Sequence, residues 1–177
     1  VRKLTIVTER FSSIGSVPVL KQENVVSLVN NVVHYLRPRL SSKVRIDVYT
    51  LSETIHALVH APLFEWVLEN LCKNAVDAMG SSGNIAIKIL RGSEGKVLID
   101  ISDTGKGIPR SKIAMVFNPG FTTKKRGWGL GLTLAKRIIE IYHKGKIFVK
   151  SSEENQGTTF RIILNASQKN LLTEDQA

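Results

Sequence analysis

Two stretches of the chain, "NIAIKIL" at residues 84–90 and "KVLIDIS" at 96–102, alternate apolar and polar side chains with a period of two. Only "RGSEG" lies between them, so they are expected to close as an antiparallel hairpin. A hairpin of this kind carries one apolar face, and that face needs a cover.

The segments around it supply the cover. Residues 25, 28, 29, 32, 33 and 36 of "ENVVSLVNNVVHYLRPRL" are apolar at helical spacing, and Arg37 before Pro38 is disfavoured in the helical region, so this helix should stop there. "KVRIDVYTL" then alternates as a strand. Pro62 suits the first turn of a second helix, which should run to Met79 before "GSSGN" ends it. "LTLAKRIIEIYH" reads as a further helix, and "GKIFVKS" and "GTTFRIILN" as strands joined by "SEENQ". The order predicts an α+β fold, a two-layer α/β sandwich with a mixed, mostly antiparallel sheet covered by helices. One domain is expected over residues 16–166, with a flexible tail at 167–177. Residues 1–15 read as the end of a helix belonging to something upstream.

The chain has 177 residues, 42% of them hydrophobic and 23% charged, enough for one core. No apolar run approaches the length of a membrane span, and "VRKLTIVTER" lacks the features of a signal peptide, so a soluble chain is expected. Cys72 is the sole cysteine and falls in a helical apolar pattern, which makes it a small core residue and excludes an internal disulfide. The net charge of +10 calls for an anionic partner. Its basic residues are scattered, with one compact run at Lys124 to Arg126, so nucleotide phosphates or an acidic protein fit better than nucleic acid.

Function is written in three segments. In "ENLCKNAVDAM", Asn70, Lys73, Asn74 and Asp77 share one arc of the helix, opposite Phe64, Leu68, Leu71, Ala75 and Met79. A solvated face explains the charged residues but not two asparagines, which cost helix stability. A neutral amide oxygen suits a magnesium ion that shares its shell with phosphates. In "DTGKGIP", Asp103 stands where a strand runs out, before two glycines that let backbone approach a flat ligand, and its carboxylate can accept a hydrogen bond from an exocyclic amine. In "TTKKRGWGLGLTLAKRI", three alternating glycines precede a helix and leave backbone N–H groups for an anion. Neither a Walker A motif nor a dinucleotide fingerprint is present. The long connection from Asp103 to Gly131 should hold at most one short helix, near Lys112 to Val116.

Together these segments resemble the catalytic domain of sensor histidine kinases and the wider ATPase superfamily of DNA gyrase B, the Hsp90 chaperone and MutL. "ENLCKNAVDA" is similar to the N box, "DTGKGIP" to the G1 box, "VFNPGFTTK" to the F box and "GWGLGLTLAKRI" to the G2 box, over roughly Asn24 to Leu164. The resemblance implies a Bergerat-type sandwich, ATP and Mg²⁺. It makes Asn74 the metal ligand and places Asn70 beside the phosphates, with Lys73 and Asp77 on the same face. It gives Asp103 the adenine amino group, Gly105, Gly107 and Ile108 the pocket wall, and Thr158 a water-mediated support of Asp103. Phe117, Thr122, Thr123 and Lys124 precede a short lid, and Gly127, Gly129, Leu130 and Gly131 wrap the phosphates.

Two departures matter. The gyrase, Hsp90 and MutL branch carries a water-activating glutamate where this chain has Asn70, and Glu69 points about 100° away, toward surface or interface. None of His34, His56, His60 or His143 sits in a phosphoacceptor motif. The resemblance therefore implies a kinase fragment acting on a histidine of its own upstream dimerisation domain, with relay to a response regulator. The full protein would be a homodimer with this domain on the cytoplasmic side; the fragment alone is compatible with a monomer. An ATP-gated clamp of the gyrase kind, or an anti-sigma serine kinase, stays open.

Overall fold

The computed structural model describes residues 17–123 and 128–167. The expected upstream helix at 1–15, Lys124, Gly127 and most of the expected tail lie outside them.

The first helix, α1 (Val25–Leu36), begins at Asn24, whose Oδ1 accepts from the Val26 N–H at 3.1 Å and from the Ile55 N–H at 3.2 Å. One side chain thus caps the helix and fixes the loop that returns beside it. The face with Val25, Val29, Val32, Val33 and Leu36 is buried. The helix stops at Leu36, and Arg37–Arg39 adds a 3₁₀ turn around Pro38.

The described residues hold seven strands: β1 (Lys21–Asn24), β2 (Val44–Thr50), β3 (His56–Val59), β4 (Gly83–Arg91), β5 (Lys96–Asp103), β6 (Lys146–Glu153) and β7 (Gly157–Asn165). β2, β4, β5, β7 and β6 form a mixed sheet in that order, and within it only β2 and β4 run parallel. β4 and β5 form the expected antiparallel hairpin. The single expected sheet is joined by a second one: β1 pairs antiparallel with β3 to make a separate two-stranded ribbon.

One face of the five-stranded sheet is apolar. Ile85, Ile87, Ile89, Val97, Ile99, Ile101, Ile162 and Leu164 are buried there against α1, α2 (Ala61–Ala78) and α3 (Gly131–Arg137). Burial of this kind contributes about 25 cal/mol for each Å² of apolar surface removed from water. Cys72 belongs to this core; burial, with a smaller push from Glu69, raises its thiol to about 12, so it stays protonated as a packing residue. The last helix holds regular α geometry only to Arg137 and continues as a π-turn over Ile138–Tyr142. Ser167, assigned by the sequence to the tail, is buried, and its N–H donates to His56 O at 3.1 Å.

Candidate functional site

α2 presents two sides to two environments. Phe64, Leu68, Leu71 and Ala75 enter the core, while Asn70, Asn74 and Asp77 line a cleft of about 1400 Å³ between this helix, the loop after β5 and the start of α3. Lys73, expected on the same face, does not line the cleft. Its ammonium pairs with Glu69 one turn back, an i,i+4 contact on the outside of the helix. Glu69 is thereby also held away from the cleft, as its position on the helical wheel requires.

Asp103 stands at the opposite wall. Its Oδ1 accepts from the Gly105 N–H at 2.8 Å, and the Thr158 backbone N–H also donates to this carboxyl. Burial pushes its pKa above the ordinary carboxylate range, and those two N–H groups offset only part of the push. The loop behind it is tied at both ends: the Lys106 N–H donates to Ala78 O at 3.0 Å, and Lys106 O accepts from the Asn155 N–H at 2.8 Å. Gly107 lies where a side chain has no room. Its φ is +70°, and a Cβ there would fall 2.0 Å from Glu153 O.

Thr158 supports this wall through its hydroxyl, which is 2.8 Å from Ser152 Oγ; that oxygen accepts from the Ile108 N–H at 2.8 Å. The Thr158 backbone also reaches Asp103 directly, through the N–H donation described above. Gly107, Ile108, Thr122, Thr123, Gly129, Leu130, Gly131 and Thr158 all line the cleft. Gly105 and Phe117 do not. A Cβ on Gly105 would press on the Ala78 backbone at 2.7 Å, so this glycine lets the loop lie on the end of α2. The Phe117 ring meets Phe160 edge-on at 6.1 Å, and its carbonyl accepts from Thr133 Oγ1 at 3.0 Å; it braces the cleft from behind.

Gly131 and Asn70 meet across the floor. A Cβ on Gly131 would come within 2.6 Å of Asn70 Oδ1, and Asn70 Nδ2 is buried with no hydrogen-bond partner. Such an amide is costly to leave unpaired, so it marks a place where a ligand acceptor belongs. The sequence reading missed several cleft residues, among them Trp66, Lys106, Trp128 and Arg137. Trp66 was within reach, since it precedes Asn70 by four residues on the same helical stripe. Lys106 lies inside the quoted glycine motif, with its Nζ 3.4 Å from Thr123 Oγ1.

Among the described residues, no group of three His, Cys, Asp or Glu side chains could hold a metal. A metal bound here would take an amide oxygen and complete its shell from phosphates and water, which is the coordination Mg²⁺ accepts. The amide oxygen of Asn74 fits that ion, and the orphaned Asn70 amide and the cleft fit a nucleotide.

Residues 60–168 match the histidine kinase-, DNA gyrase B- and HSP90-like ATPase family. The chain belongs to this ATPase family. Sporulation kinase E of Bacillus subtilis (strain 168) is 32% identical over 149 residues, which are 84% of this chain and 20% of that protein. Sensor histidine kinase ZraS of Salmonella typhimurium is 39% identical over 117 residues, 66% of this chain and 25% of that protein. The chain thus spans a fifth to a quarter of these two relatives. The nucleotide-free catalytic domain of histidine kinase ThkA superimposes with a TM-score of 0.74 at 29% identity, covering 82% of this chain and 95% of that one. The α+β sandwich is the fold of histidine kinase catalytic domains. No helix among the described residues is long and apolar enough to cross a membrane.

Proposed function

We propose that this ATPase-family domain is the catalytic part of a sensor histidine kinase, and that it passes the γ-phosphoryl group of ATP to a histidine on a dimerisation domain of the same protein. In this reading the group moves on to an aspartate of a response regulator, and the domain works on the cytoplasmic side within a homodimer. The observation that carries it is the pairing of Asn70 with Asn74 in a cleft whose far wall is Asp103, where the hydrolytic relatives would place a glutamate at position 70.

The residues divide the work. The carboxyl of Asp103 accepts from the adenine amino group, and Ile108 and Gly107 form the wall against the base. Asn74 is the magnesium ligand, Asn70 turns its amide to the phosphates, and Gly129, Leu130 and Gly131 follow them with the backbone. Asp77 and the threonines Thr122 and Thr123 line the same space, and the reading assigns Lys124 and Gly127, which lie outside the described residues, to the lid. Mg²⁺, when bound, offsets the charge of the phosphate oxygens.

The protein's part is to position groups and exclude water. As the bond from the γ-phosphorus to the ADP oxygen breaks, a bond to an imidazole nitrogen forms, and ADP leaves with the electron pair. Glu69 is held by Lys73 outside the cleft, so no carboxylate at position 69 or 70 activates water. Incubating the chain with ATP, Mg²⁺ and a separately produced dimerisation domain should give acid-labile phosphate on histidine. Release of free phosphate alone, or binding without turnover, would overturn the reading in favour of a clamp or a scaffold.

A further inference from the structure

The five-stranded sheet has a second face, which no helix among the described residues covers. Its rows follow from the strand registers. Leu90 pairs with Leu98, Leu98 with Ile163, and Ile163 with Lys146. In the next row Tyr49 pairs with Lys88, Lys88 with Asp100, Asp100 with Arg161, and Arg161 with Phe148. A solvent-facing sheet normally shows polar residues there. Here an aliphatic row is only partly shielded, with Leu90 37% exposed and Leu98 and Ile163 half-buried, and Phe148 in the next row is 38% exposed.

Charge surrounds that row. Arg45, Lys88, Lys96, Lys146, Lys150 and Arg161 share the face with two carboxylates, Asp47 and Asp100. Asp100 is itself cancelled: Arg161 donates to it from Nε at 2.6 Å and Nη2 at 2.8 Å, and Lys150 from Nζ at 2.7 Å. One carboxylate under two cations leaves net positive charge. Among the described residues, Lys96 Nζ donates to the neutral Asn165 Oδ1 at 2.7 Å. The cations looked scattered along the chain because they come from five different strands.

We propose that this face docks on an anionic lipid bilayer. The surface is open and about 20 Å across its five strands, so it matches a plane better than a threaded strand. Most of its free cations are lysines, whose long stems can lie along the aliphatic row while the ammonium groups meet headgroup phosphates. Bidentate arginines, which read single phosphates, are few: Arg161 is already engaged by Asp100, and Arg45 stands alone on the edge strand β2. Stacking of bases also lacks a platform, because Tyr49 and Phe148 sit on opposite edge strands. The cleft residues lie on the other side of the sheet or beyond it, so a docked domain keeps its nucleotide site open.

Co-sedimentation of the full chain with vesicles tests this. Binding should appear with phosphatidylcholine containing about a third phosphatidylglycerol, be absent with phosphatidylcholine alone, and fade at about 0.5 M salt. The triple variant K88E/K96E/K146E should bind at least about tenfold more weakly, with nucleotide affinity and circular dichroism unchanged. The control triple K21E/R39E/K136E, which carries the same charge change away from this face, should lose much less. Leu90→Ser should weaken binding about threefold through the lost apolar contact. Failure to sediment with anionic vesicles, equal loss in both triples, or tighter capture by a single-stranded oligonucleotide or polyglutamate would overturn the proposal.

Discussion

His143 Nε2 accepts a hydrogen bond from the backbone N–H of His60 at 3.0 Å, which joins the end of the π-turn to the start of α2. Its Nδ1 lies 2.8 Å from Ile138 O, so the proton sits on Nδ1 and the ring must be neutral. Burial lowers its pKa below 6.5, the Ile138 carbonyl offsets part of this, and His60 adds to the lowering. The sign follows directly. Above pH 6.5 the ring is neutral in both folded and unfolded chains, and the contribution is complete. Below it the unfolded chain takes up the proton first, so stability falls with pH until the folded ring also titrates. Denaturant midpoints from pH 7.5 down to 5 should fall, with a slope from this group of no more than about 1.4 kcal/mol per pH unit. His143→Phe should flatten that slope and cost about 2 kcal/mol at pH 7.5, because the His60 N–H loses its acceptor.

Gly131 and Asn70 offer a separate test. Ala at position 131 would place its Cβ 2.6 Å from Asn70 Oδ1, and the neighbour that must give way is the end of a side chain rather than backbone. Alanine also favours a helix more than glycine does. Thermal stability of Gly131→Ala should therefore change by less than about 1 kcal/mol, while ATP affinity measured by calorimetry drops about tenfold as the amide is displaced. Unchanged affinity would mean that Asn70 takes no part in binding.

Asp103 separates binding from folding in the opposite way. Its carboxyl is held by two backbone N–H groups that an asparagine oxygen can also accept, so Asp103→Asn should alter stability by less than about 1 kcal/mol. ATP should bind more weakly, since the amide is a poorer acceptor than a carboxylate. Because burial raises the Asp103 pKa above 3.8, the wild-type affinity should begin to fall at a higher pH than an exposed aspartate would give. The variant should lack that limb. Nucleotide titrations at several pH values check both points.

What the sequence revealed and what it hid divide along physical lines. α1, α2 and the β4–β5 hairpin were legible because each carries its own periodicity, and the Asn70–Asn74 stripe stood out against helix propensity. β1 and β3 were not, because four residues are too short for a period to show, and "KQEN" pairs through its backbone without an apolar pattern. The π-turn escaped since "RIIEIYH" continues the helical pattern while the His143 N–H reaches back to Ile138 O, five residues earlier. Lys73 misled: an arc on the wheel says which way a side chain starts, and its i,i+4 partner Glu69 decides where the ammonium ends. The lysines on the open sheet face and Arg137 in the cleft depend on strand order and tertiary packing, which no local pattern encodes.

Asn74 tests the metal ligand itself. It is half-buried on α2, and alanine is the better helix former, so Asn74→Ala should fold with a stability within about 1 kcal/mol of the parent. If its amide oxygen completes a magnesium shell, the loss should appear as dependence on the ion. Histidine phosphorylation by the variant should drop by at least about a hundredfold, and ATP titrated without Mg²⁺ should bind the variant and the parent alike. An equal loss of affinity with and without Mg²⁺ would assign Asn74 to the nucleotide, whereas retained transfer would remove it from the site. Manganese separates the two cases further, since it accepts the same oxygen ligands and can be followed by its paramagnetic signal: the parent should bind Mn²⁺ in the presence of ATP more tightly than Asn74→Ala does.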